Sequence, residues 1–108
     1  MKLGVINYGM GNLGSVITAI KNLGLQAEMC VSPLDLKEMD KIILPGVGSF
    51  VDAMKELEQK NWVPAINEHV SIKERPLLGI CLGMQLLASI GNEGGKVVGL
   101  DLIPGEVK

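Results

Sequence analysis

A chain of 108 residues has room for one small domain, burying somewhat over ~60% of the surface that its unfolded form exposes. Its apolar content is 47%, yet the only aromatic residues are Tyr8, Phe50 and Trp62, so the core has to be aliphatic. A net charge of −2 with no cluster of Lys or Arg offers nothing to a nucleic-acid backbone or an anionic membrane.

The opening "MKLGVIN" has too few apolar residues for a secretory signal, and no apolar run approaches membrane-spanning length. A cytoplasmic protein is expected, with Cys30 and Cys81 as free thiols. Short apolar runs then alternate with longer helical patterns. The first strand is expected at 3–6, "LGVI", and a helix at 12–23, where Val16, Ile17, Ile20 and Leu23 recur at helical spacing and Gly24 offers a left-handed stop. A second strand at 26–31 leads to a short helix with Ser32 as N-cap, Pro33 at its first position and Asp35 three residues after the cap. The third strand is "KIIL" at 41–44, followed by helices at 50–59 and 62–73 that separate near Asn61, with Pro64 in the first turn of the second. The fourth strand is 77–80, and the last helix is expected to begin just after Cys81 and to end by Gly91. The tail "KVVGLDLIPGEVK" reads as strand.

Strands alternating with helices in this way predict an α/β fold, a parallel sheet with helices on both faces, because parallel neighbours need crossover connections. Ligands in such sheets collect at the carboxyl ends of the strands. Three glycine-rich turns fall there: "NYGMG" after strand one, "PGVGS" after strand three and "GICLG" at the end of strand four.

The first turn carries Gly9, Gly11 and Gly14 at the G-x-G-x-x-G spacing of a dinucleotide cradle, with Glu28 near the distance of a ribose-binding carboxylate. Two details weigh against that use. Asn7 and Tyr8 intervene between the strand and the first glycine, and Glu28 falls inside strand two rather than at its end. The third turn places Cys81 between Gly79 and Gly83 at a strand-to-helix junction, the layout of a nucleophile elbow. Helix amides from Leu82 onward would favour a thiolate and could hold an oxyanion. Read alone, the same cysteine is equally a small buried hydrophobe. Gln85, one helical turn on, could meet a polar substrate or simply face solvent. Gly46, Val47 and Gly48 supply further backbone N–H groups at the same edge, or form an ordinary turn.

Together, "GICLGMQ" and "ILPGVGSF" resemble the nucleophile and oxyanion segments of class I glutamine amidotransferases. The strings "INYGMGNLGSV" and "GLDLIPGEV" are similar to the glutaminase subunits that serve imidazole glycerol phosphate synthases. The resemblance implies a flavodoxin-like glutamine amidotransferase domain over residues 1–108, present in part. Cys81 would be the nucleophile, Gly46, Val47, Gly48 and Leu82 the oxyanion donors, Gln85 a substrate contact, and Asn12 a residue at the junction with a synthase barrel in a heterodimer. No metal or other cofactor is implied. Glutamine would be hydrolysed through a cysteine thioester, and ammonia passed to the barrel to make imidazole glycerol phosphate and an aminoimidazole carboxamide ribotide.

The histidine and glutamate that complete such a site in the family have no counterpart in residues 1–108. His69 is the single histidine, and it is expected at the amino end of strand four, about 15 Å from Cys81 at ~3.3 Å per residue. This chain alone is therefore expected to be inactive, and to associate through exposed sheet edge. The alternatives are a glutaminase of another pathway (anthranilate, GMP or a surface sugar) and a nucleotide-binding module in which Cys81 is inert.

Overall fold

A computed structural model describes residues 1–93 and 95–108. Four parallel strands form the main sheet: β1 (Leu3–Ile6), β2 (Glu28–Cys30), β3 (Lys41–Leu44) and β4 (Leu77–Gly79), in the order β2-β1-β3-β4. Register pairs Val5 with Met29 on one side and with Ile43 on the other, and Ile43 with Leu78. β4 is therefore an edge strand, and the Leu78 side chain stands 58% exposed.

Helix α1 (Leu13–Asn22) covers one face of this sheet. Its Ile20 packs with Val5 and Ile43, and Leu13, Val16 and Ile17 flank that cluster. The predicted stop is present: Gly24 has φ +78°, a conformation that glycine adopts without a side-chain clash. Leu23 departs from the expected apolar stripe, being 75% exposed at the C-cap.

The opposite face carries α2 (Phe50–Gln59) and α3 (Trp62–Asn67). Phe50, Ala53, Met54 and Leu57 are buried at helical spacing, and each of the larger ones contributes about 1.5–3 kcal/mol on leaving water. Asn61, at φ +63°, breaks α2 from α3, which continues as a π-turn over Glu68–Ile72, where the Lys73 amide reaches back to the Glu68 carbonyl at 2.9 Å. The 3-10 segment Pro33–Glu38 opens with the expected capping box: Asp35 Oδ2 accepts from the Ser32 amide at 3.1 Å, and the Ser32 side chain accepts in return.

The last expected helix is much shorter than its pattern suggests. Helix α4 (Leu82–Gln85) is a single turn, and β5 (Ala88–Gly91) is a strand within a second sheet with β6 (Val97–Val98) and β7 (Ile103–Val107) in the order β6-β5-β7. The reason is long-range. Carbonyls that would continue the helix are taken by the tail: Leu86 by the Leu100 amide (2.8 Å), Leu87 by Leu102 and Ile103 (2.9 Å each), and Ala88 by Asp101 (3.0 Å). Gly91 also lies flat on the Phe50 ring, where a β-carbon would come within 2.6 Å.

Candidate active site

Because β1, β3 and β4 are neighbours running the same way, the three glycine-rich turns emerge along one edge. At the end of β4, Cys81 has φ +55° and ψ −122°, a region that residues with side chains seldom occupy. The strain turns the cysteine outward: Cys81 is exposed, whereas Cys30 is buried in the core. The flanking glycines are sterically demanded. A β-carbon on Gly79 would meet the Met84 Cα at 2.7 Å and the Gly83 carbonyl at 2.8 Å, and one on Gly83 would overlap the Leu44 carbonyl oxygen. Strand, elbow and helix can approach this closely only where both positions lack a side chain.

The Pro45–Gly48 turn faces this elbow. Gly46, Val47, Gly48, Cys81, Leu82, Met84 and Gln85 line a shared cleft of about 390 Å³. Each predicted catalytic, oxyanion and substrate residue is thus in one place, and Met84 is an addition. Among the described residues, the amides of Gly46, Val47 and Gly48 donate to no protein acceptor. The Leu82 amide differs: it donates to the Gly46 carbonyl at 3.3 Å, while Gly83 donates to Ile80 (2.9 Å) and Met84 to Cys81 (3.0 Å). The first-turn amides that the sequence suggested for a thiolate or an oxyanion are therefore engaged within the chain. A second cavity, about 330 Å³, lies between the 3-10 segment and α3 and touches none of the three turns.

The N-terminal turn supports the cleft from behind. The Tyr8 hydroxyl donates to the Pro45 carbonyl at 2.7 Å, and Gly11, at φ +152°, sits against the Pro45 ring. Asn12 stands outside the cleft, exposed, as the N-cap of α1, with its Oδ1 accepting from the Ser15 amide at 3.3 Å. That bond occupies a first-turn amide where a dinucleotide pyrophosphate would need one free. Glu28 opens β2 opposite Gly4, at the amino end of that strand and not at the carboxyl edge where the glycine turn emerges. The fingerprint spacing is present without the cradle.

His69 lies at the wrong end of β4 for acid–base work on Cys81. It is 2% exposed, its Nε2 is 3.1 Å from the carbonyl oxygen of Pro76 just before β4, and its Nδ1 has no partner among the described residues. Burial pulls its pKa below the usual histidine value, with Arg75 and Lys73 adding like-charge repulsion.

The chain matches the family described as glutamine amidotransferase class-I over residues 4–103. It belongs to the class I glutamine amidotransferases. This amidotransferase chain is 54% identical over 106 residues to "Imidazole glycerol phosphate synthase subunit HisH" of Moorella thermoacetica, covering 98% of the chain and 50% of that relative. It is 46% identical over 105 residues to "Imidazole glycerol phosphate synthase subunit HisH 1" of Campylobacter jejuni, covering 97% and 52%. A crystal structure titled as a glutamine amidotransferase aligns with a TM-score of 0.72 at 23% identity over 84% of the chain and 47% of its own, a likeness of fold. The chain spans about half the length of the curated relatives that it matches. Nothing in the sequence marks Tyr8 or Met84 as a site residue beyond Tyr8 being one of three aromatics in an aliphatic chain and Met84 following Cys81 by three.

Proposed function

We propose that this chain carries the nucleophile and oxyanion half of a glutaminase that delivers ammonia to a synthase making imidazole glycerol phosphate. The observation that carries the reading is Cys81, exposed and strained at φ +55°, in one cleft with the Pro45–Gly48 turn. The names borne by the curated relatives supply the pathway. In this reading the Cys81 thiolate attacks the side-chain amide carbon of glutamine, forming a C–S bond and an oxyanion held by amides of the Gly46–Gly48 turn. Collapse breaks the C–N bond, and ammonia leaves with a proton from a general acid; water then hydrolyses the thioester to glutamate and restores the thiol. Leu82 can join the oxyanion donors only after the Gly46 carbonyl turns away, since its amide is already spent. The acid and base come from residues outside these 108, because His69 sits at the other end of β4. Gln85 contacts the glutamine, and Asn12 faces the barrel subunit of the synthase in a heterodimer.

The test is labelling with a glutamine chloroketone. Modification of Cys81 that excess glutamine suppresses and Cys81→Ser abolishes is the expected result. Labelling indifferent to glutamine would reject the reading. Ammonia release by the 108 residues alone should be undetectable, and sustained turnover would reject the assignment of acid and base to other residues.

A further inference from the structure

Tyr8 is 1% exposed inside an apolar cluster that includes Ile6, Leu44, Phe50 and Met54. A hydroxyl in such a place costs stability unless it is hydrogen-bonded, and a phenylalanine would fill the same volume without that demand. The hydroxyl makes one long-range bond, to the Pro45 carbonyl 37 residues away at 2.7 Å. Burial raises the phenol pKa far above any physiological pH, so this group is always a donor. At the other end of the residue, the Tyr8 carbonyl accepts from Lys60 Nζ at 3.5 Å. Tyr8 is therefore held on both sides.

The residue after Pro45 is pinched against it. A β-carbon on Gly46 would lie 2.7 Å from Tyr8 Oη, 3.0 Å from the Gly83 amide and 3.1 Å from Leu82 Cβ. Gly46 thus fills a slot between the phenol and the first turn after Cys81, and from that slot its carbonyl takes the Leu82 amide. We infer that Tyr8 is a positioning residue for the Pro45–Gly48 turn: its hydroxyl, through the Pro45 carbonyl, sets the distance between that turn and the Cys81 elbow. The catalytic meaning of that distance rests on the glutaminase reading, whereas the mechanical role does not.

Tyr8→Phe keeps the packing and removes only the bond. In amide hydrogen exchange by NMR, Leu82 protection should fall about tenfold, while Val5 and Ile43 in the central strands stay within a factor of about two. In parallel, chloroketone labelling of Cys81 should slow about tenfold against an unchanged iodoacetamide rate, because the first reagent needs the turn's amides and the second only an accessible thiolate. Unchanged Leu82 protection overturns the positioning role whatever the labelling gives, as does an equal loss at Val5 and Ile43, which would mean general destabilisation. A wild-type chloroketone rate that glutamine does not suppress overturns the glutaminase reading alone, and exchange at Leu82 then still decides for or against Tyr8.

Discussion

Gly83 presses its α-carbon against the carbonyl of Leu44, leaving no space for a methyl group between them. That carbonyl cannot give way freely, since it also accepts the Ile80 amide at 3.0 Å and so ties the end of β3 to the start of the elbow. Gly83→Ala should destabilise the fold by about 3 kcal/mol, the upper range for forcing atoms into a packed site. Gly14→Ala is the control: it lies in the first turn of α1, where a β-carbon would make only an ordinary contact with Asn12 Oδ1 at 3.9 Å, and the change should stabilise by roughly 0.5 kcal/mol. Urea midpoints that move in opposite directions are expected; equal midpoints for Gly83→Ala and wild type would contradict the packing argument.

The two cysteines should respond very differently to alkylation. Cys30 is fully buried, and its thiol is pushed up to about 11 by burial first and then by the charges of Asp35 and Glu28. Cys81 is exposed. Iodoacetamide on the folded protein at neutral pH should add one group, located at Cys81 by peptide mass mapping, and Cys81→Ser should take up none. Urea should release a second site at Cys30. Native labelling at Cys30 would count against its burial.

His69 gives the stability a pH dependence of known sign. Its pKa is lowered in the folded protein, so the unfolded chain, at about 6.5, binds the proton more readily. The stabilisation is complete above that value and is lost as pH falls below it toward the depressed folded pKa. Between pH 7.5 and pH 5, the urea midpoint should fall more for wild type than for His69→Phe. Parallel declines in the two proteins would assign the acid sensitivity to carboxylates instead.

Asp35 closes the capping box and does more than cap. Its Oδ2 accepts from the amides of both Val31 and Ser32, at 3.0 and 3.1 Å, fixing the turn between β2 and the 3-10 segment. Asp35→Ala should lower stability by about 1–2 kcal/mol, measured by chemical denaturation. A loss under a few tenths would show that water replaces those bonds at no cost.

The sequence by itself determined the features that depend on near neighbours. Ser32, Pro33 and Asp35 spell a cap within four residues, Gly24 ends α1 because its own backbone must turn left-handed, and the apolar runs at 3–6 and 41–44 are recognisable as buried strands. The elbow was legible for the same reason: the glycines flanking Cys81 are a local steric demand. Tertiary structure decided what depends on partners far along the chain. The pattern after Cys81 is helical, yet α4 stops at Gln85 because amides from residues 100–103 claim its outgoing carbonyls. Nothing near Leu82 announces that its amide is taken by Gly46, nor anything near Tyr8 that its hydroxyl reaches Pro45. Buried polar groups must find partners wherever the fold offers them, and the positions of those partners are set by packing over the whole chain, beyond the reach of any local pattern.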